Sequence, residues 1–252
     1  MRVLLALILI LLALPLRAEE IVAGLSQSRV SITARFEGSE ILIYGAVKRE
    51  APAPEGPKLE VIITVEGPST PLVIRRKERV AGIWINKDSV RIDLAPSFYA
   101  VATTGPLADI LTETEDLRHG ISIPRTIRAV GIAAEAPNSA DFVQALLRIR
   151  LGDGSYGVSE NAVQLTEDTL FRTDVALPAN LVEGDYQVRI FLLRGGRVVD
   201  RLERVIGVRK AGLERFLFRS AQDQPLFYGL AALALAAFAG WAASAAFRYL
   251  RS

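Results

Sequence analysis

The sequence predicts a mainly β fold: an exported antiparallel β-sandwich with a helical insertion, followed by one C-terminal transmembrane helix. Three observations carry this prediction. An apolar run stands at each end of the chain, β-type runs fill residues 29–94 and 169–208, and the period turns helical over residues 104–152 between them.

The first element, residues 1–18, reads "MRVLLALILILLALPLRA": Arg2, an apolar run from Val3 to Leu14, then Pro15 and the small Ala18. That order is a secretory signal peptide cut after Ala18. Its twelve apolar residues reach only about 18 Å as a helix, short of a bilayer core of about 30 Å. Without the leader's Arg2 and Arg17, 28 basic side chains face 28 acidic ones, so no nucleic-acid-binding patch is implied. The chain has no cysteine, which excludes disulfides and thiol chemistry and leaves core burial to hold the exported part, residues 19–209.

"RVSITARF" and "SEILIYGAV" open the β region, and "APAPEGP" (51–57) reads as a loop. "LEVIITVEG", "PLVIRRKERV" and "GIWINKDSVRIDL" give three further strands. In "PLADILTETEDLRHG" the residues Leu107, Ile110, Leu111 and Leu117 recur at helical spacing, and Gly120 suits the stop. "NSADFVQALLRIRLG" repeats the pattern with Phe142, Ala145, Leu146 and Ile149 on one face and Asn138 or Ser139 as cap. Strands resume with "TLFRTDVALP", "DYQVRIFLLRGG" and "RVVDRLERVIGV", the last two forming a hairpin around Gly195-Gly196. Three late strands cannot bury two sheets by themselves, so early and late strands are expected to share one sandwich.

"NLVEGDYQV" reads as the approach to the penultimate strand of an immunoglobulin-type sandwich. There a Tyr closes a corner through its hydroxyl and a core residue follows two positions later, which places Tyr186 and Val188 in those structural roles. The expected fold is therefore Ig-like.

Residues 210–225 form a linker helix with Leu213, Phe216, Leu217 and Ser220 on one side. Leu226 to Phe247 then gives 22 predominantly apolar residues, about 33 Å of helix, enough to span. With the leader directing export, residues 248–252 are the cytoplasmic tail and the bulk lies in the periplasm. Thirteen of those 22 residues are Ala, Gly or Ser. At 100° per residue Leu226, Phe227, Leu230, Leu233, Phe238 and Trp241 crowd into an arc of roughly 140°. Gly229, Ala232, Ala236 and Gly240 fall on the small side, and Ser244 continues the spacing of four from Ala232. In lipid, small surfaces let helices approach, so this side is a candidate packing face for a second transmembrane protein or another copy of the chain.

No enzyme signature emerges, and neither cofactor nor metal is expected. His119, the single histidine, sits in the last turn of a helix, where the dipole favours an imidazolium. Asp109, Glu113, Glu115 and Asp116 read as the wet face of that helix rather than a site. "LGDGSYG" matches neither a phosphate nor a calcium loop. Trp84 is a candidate ligand platform, although a Trp within a strand is ordinarily core.

The leader, "GLSQSRVSITARFEGSEILIYGAV", "GIWIN" with "PSFYAVATTGPL", "ALPANLVEGDYQVRIFLLRGGRVV" and "PLFYGLAALALAAFAGW" together resemble the alphaproteobacterial putative transmembrane protein family. The resemblance implies an inner-membrane protein with a periplasmic domain and brings no catalytic residues. Its members lie near genes for TauE/SafE-type sulfite or anion exporters. Two readings follow: a non-enzymatic accessory subunit of a membrane partner, or a periplasmic ligand-binding or sensing module.

Overall fold

The computed structural model describes residues 19–33, 36–50, 56–128, 139–210 and 213–250, so the expected leader, the loop at 51–55, Asn138 and the end of the tail lie outside it. The chain divides into two units, one of residues 1–30 with 37–208 and one of residues 31–36 with 209–252.

Twelve strands occur among the described residues of the chain: β1 (Glu19–Leu25), β2 (Arg29–Ile32), β3 (Ser39–Arg49), β4 (Leu59–Glu66), β5 (Ser69–Val80), β6 (Ile83–Pro96), β7 (Tyr99–Thr103), β8 (Tyr156–Ser159), β9 (Gln164–Thr166), β10 (Leu170–Leu177), β11 (Gly184–Arg194) and β12 (Arg197–Lys210). One sheet runs β1-β3-β10-β9, a second β2-β12-β11-β4-β7-β8, and β5 and β6 pair with each other and, among the described strands, with no third one, although Leu94 of β6 also bridges to Arg128. Early and late strands share both larger sheets, since β10 pairs with β3 and β11 with β4, as expected for one sandwich.

The period-two pattern explains which face each strand buries. In β10, "LFRTDVAL" alternates strictly, with Phe171, Thr173, Val175 and Leu177 buried. Strands β4 and β11 are buried on both faces over residues 61–65 and 190–193, while Asp185 and Gln187 at the start of β11 are exposed. The face bearing Val61, Ile63, Val65, Val188, Ile190 and Leu192 belongs to the sandwich interior. The opposite face, with Ile62, Phe191 and Leu193, joins Tyr99, Val101 and Tyr156 in a cluster with Ile110, Ile121 and Ile123 of the helical block.

That block consists of α1 (Leu107–Ile110), α2 (Glu113–His119), α3 (Ile123–Thr126) and α4 (Ser139–Gly152). The single helix expected over "PLADILTETEDLRHG" is two. Leu111 and Thr112 are extended because Thr112 donates from both N and Oγ1 to the Gly196 carbonyl, at 3.1 and 3.0 Å, which docks the break onto the β11–β12 turn. Leu117, expected on the apolar face, is 66% exposed as a result. The hairpin turn follows expectation: Gly195 and Gly196 both hold positive φ, at 54° and 76°, as a tight primed turn requires.

A buried carboxylate ties β1 to the rest. Glu19 accepts from Arg49 Nε of β3 at 2.8 Å and from Arg194 Nε and Nη2 of β11 at 2.8 and 2.7 Å, so it bridges the two sheets. The Arg194 hydrogen bond, and with it that of Arg49, holds the Glu19 pKa below the usual carboxylate range although burial pulls the other way. This stabilisation is complete above the ordinary carboxylate value and is lost as pH falls through the depressed folded value. Glu19→Gln leaves two half-buried guanidiniums without their counter-charge and is expected to lower unfolding free energy by about 3 kcal/mol at neutral pH. In denaturant titrations across pH, the wild-type and variant curves should converge on acidification.

Candidate functional site

In the second unit, α5 (Leu213–Asp223) precedes α6 (Pro225–Leu250). Residues Pro225–Ser244 have a mean hydropathy of 1.8 and none is buried, so by length and composition α6 can cross a membrane. The wheel expected from sequence has physical content here. Phe238 and Trp241 lie one turn apart with ring centroids 6.0 Å from each other, and both are exposed. At Gly229 and Gly240 a Cβ would meet no atom within 4 Å. Among the described residues these glycines therefore satisfy no packing need. Where α5 turns into α6, a groove of about 430 Å³ is lined by Leu217, Gln224, Phe227, Tyr228, Ala232 and Leu235, among others. Ala232 thus belongs both to this groove and to the small side of α6, while Ala236, Gly240 and Ser244 continue along the helix.

In the first unit, the long strands β5 and β6 leave the sandwich as a ribbon. Its base is anchored by Val90, Ile92 and Ala95, which pack with Phe142 and Leu146 of α4. Beside that contact a groove of about 530 Å³ opens between β5 and α4, with Ile74, Phe142 and Ile149 as apolar lining, four cations, Arg75, Arg76, Lys77 and Arg148, and one acid, Asp141. Ile149, expected on the buried face of α4, is 57% exposed at this groove. Trp84 is not core: it lies near the ribbon tip opposite Arg79 and is 67% exposed.

Tyr186 Oη donates to the Val182 carbonyl at 3.0 Å, its ring lies 6.1 Å from that of Phe98, and Val188 is fully buried.

The carboxylate cluster departs from expectation, because Glu115 is buried rather than wet. It pairs with Arg118 at 2.7 Å, lies 3.4 Å from His119 Nε2, and accepts from Val198 N at 3.3 Å. Asp116 accepts from the N–H groups of Ile121 and Ser122 and from the Ser122 hydroxyl, so it caps the turn into α3. Asp109 and Glu113 are exposed.

Sequence reasoning passed over Arg189, whose guanidinium donates to the carbonyls of His119 at 2.8 Å and Gly120 at 3.0 Å, and to Tyr99 Oη at 2.8 Å. Those carbonyls close the C-terminal end of α2, where cations are favoured. Tyr99 Oη in turn donates to Ile121 O at 2.8 Å, and burial pushes its pKa up to about 12. A signal for Arg189 existed in the sequence: it interrupts the face that carries Phe191 and Leu193.

The imidazolium expected at His119 is disfavoured. Burial, with its ring 5.6 Å from that of Phe191, lowers its pKa, and the opposing pull of Glu115 is the smaller effect. The neutral ring contributes stability that is present above the ordinary histidine value and lost as pH falls through the lowered one. Because the chain has one histidine, a single imidazole resonance should titrate in an NMR pH series with a midpoint below about 6.5. A midpoint at or above that value would contradict the assignment.

Residues 20–249 match the family model described as Putative transmembrane protein (Alph_Pro_TM). No curated protein matches the chain.

Proposed function

Because the chain belongs to that transmembrane family, we propose that it is a non-enzymatic accessory subunit, held by α6 in the inner membrane, that docks onto another transmembrane protein through the small side of the helix. The single observation that carries this reading is the uncovered glycine pair, Gly229 and Gly240, each facing open space on a span where Leu would serve anchoring better. Ala232 and Ala236 extend the same surface, and the groove at the α5–α6 junction offers it an apolar end. A TauE/SafE-type anion exporter is the partner class that the family resemblance suggests. We read the outer domain as Ig-like and periplasmic. The strand orders β1-β3-β10-β9 and β12-β11-β4, together with the Tyr186 corner, support the Ig-like part.

A second reading, a periplasmic ligand-binding or sensing module, is favoured by the groove between β5 and α4. Its apolar lining and cationic rim suit an amphipathic anion better than a sugar or a metal ion. Trp84 keeps its candidacy as a ligand platform only if a ligand reaches the ribbon.

The two readings separate experimentally. Gly229→Leu with Gly240→Leu meets no steric obstacle within the chain, so folding and membrane insertion should be unchanged. Tagged wild-type protein solubilised in mild detergent should co-purify a membrane protein or a second copy of itself, and the double variant should lose at least tenfold of it. Wild-type protein that runs alone would remove the docking reading and leave the groove to be tested by thermal shift with organic anions.

A further inference from the structure

The β5–β6 ribbon carries surface that the docking reading does not use. Beyond Val90, its last buried residue, it projects from Arg75 and Ser89 to the Ala81-Gly82 turn, roughly 20 Å at strand rise. A two-stranded ribbon is marginal in water by itself. The end of this one is nonetheless apolar: Val80, Ile83 and Ile85 share one face, Trp84 occupies the other, and Ile83 and Trp84 are 65% and 67% exposed.

Behind that tip the charge is one-sided. Residues 75–89 hold Arg75, Arg76, Lys77, Arg79 and Lys87 against Glu78 and Asp88. Both acids are neutralised within the ribbon, Glu78 by Lys87 at 2.7 Å and Asp88 by Arg76. Among the described residues Arg75, Lys77 and Arg79 form no ion pair; Arg79 Nε contacts only the Gly82 carbonyl, at 3.4 Å. The ribbon thus ends in β-branched side chains and an indole, with Arg79 directly behind them and Lys77 and Arg75 following toward the groove beside α4. An indole and long cationic side chains both suit the boundary between headgroups and acyl chains, and the free cations complement lipid phosphates.

We propose that the ribbon tip is a second membrane contact, which seats Trp84, Ile83 and Val80 in the headgroup layer of an anionic bilayer while Arg79 pairs with a lipid phosphate and Lys77 and Arg75 behind it are drawn by the anionic surface. The proposal is independent of the docking face on α6. A protein surface is the competing occupant, and the experiment distinguishes it.

The chain has two tryptophans, so Trp241→Phe leaves Trp84 as the sole indole reporter. The full-length variant is placed in nanodiscs of phosphatidylcholine with or without phosphatidylglycerol, each made with brominated or ordinary acyl chains. The expected result is a blue-shifted emission, quenched by bromine, in the anionic discs. Arg75→Gln, Lys77→Gln and Arg79→Gln together should weaken it, since each cation contributes roughly fivefold to surface affinity. Emission that remains at the wavelength of a water-exposed indole in anionic discs would overturn the proposal. Blue-shifted emission without quenching would also overturn it, by showing that protein covers the tip. Equal quenching in neutral discs would overturn the anionic assignment.

Discussion

Burial of the middle of β4 and the later half of β11 on both faces is the constraint from which the rest of the first unit follows. A strand with one wet face needs one cover, but Ile62, Phe191 and Leu193 stand back to back with Val61, Ile63, Ile190 and Leu192, and this stretch requires two. One face is enclosed in the sandwich, and the other is closed by Ile110, Ile121 and Ile123 of the helical block. The helices are thus a necessary third layer over a sheet that would otherwise expose Ile62, Phe191 and Leu193. With no cysteine in the chain, this double cover does the work that a disulfide does in many small exported domains.

Charges buried in that structure are each paired. Glu19 is held by two arginines, Glu115 by Arg118, and Arg189 by carbonyls at the end of α2 and the Tyr99 hydroxyl. A buried charge that lost its partner would cost several kcal/mol, so these groups fix register rather than await a substrate. Other surfaces are less committed: the apolar span α6 with its small side, the groove between β5 and α4, and the ribbon that ends at Trp84.

Much of this was legible where a period was long enough to read. Phe171 to Leu177 alternate, Phe142 and Leu146 fall one helical turn apart, and Gly195-Gly196 makes the hairpin; all three follow from local stereochemistry. The short strands β8 and β9 and the first strand β1 were missed, since three or four residues carry little period and β1 begins with two glutamates. The break at Thr112 depends on Gly196, 84 positions away, and the burial of Glu115 and His119 depends on β11 and β12. Such effects have no local signature. The ribbon is intermediate: its strands were legible, but their departure from the sandwich lies in their pairing with each other and, among the described strands, with no third one, and this moves Trp84 from the expected core to solvent.

The central claim is that the small side of α6 touches another transmembrane helix. Because the chain lacks cysteine, single cysteines can be introduced without background at Ala232, Ala236 and Gly240 on one side and at Phe238 and Trp241 on the other. Site-specific crosslinking in native membranes should give discrete adducts from the first three positions and none from the other two. Adducts from neither side, or from Phe238 and Trp241 alone, would contradict the account.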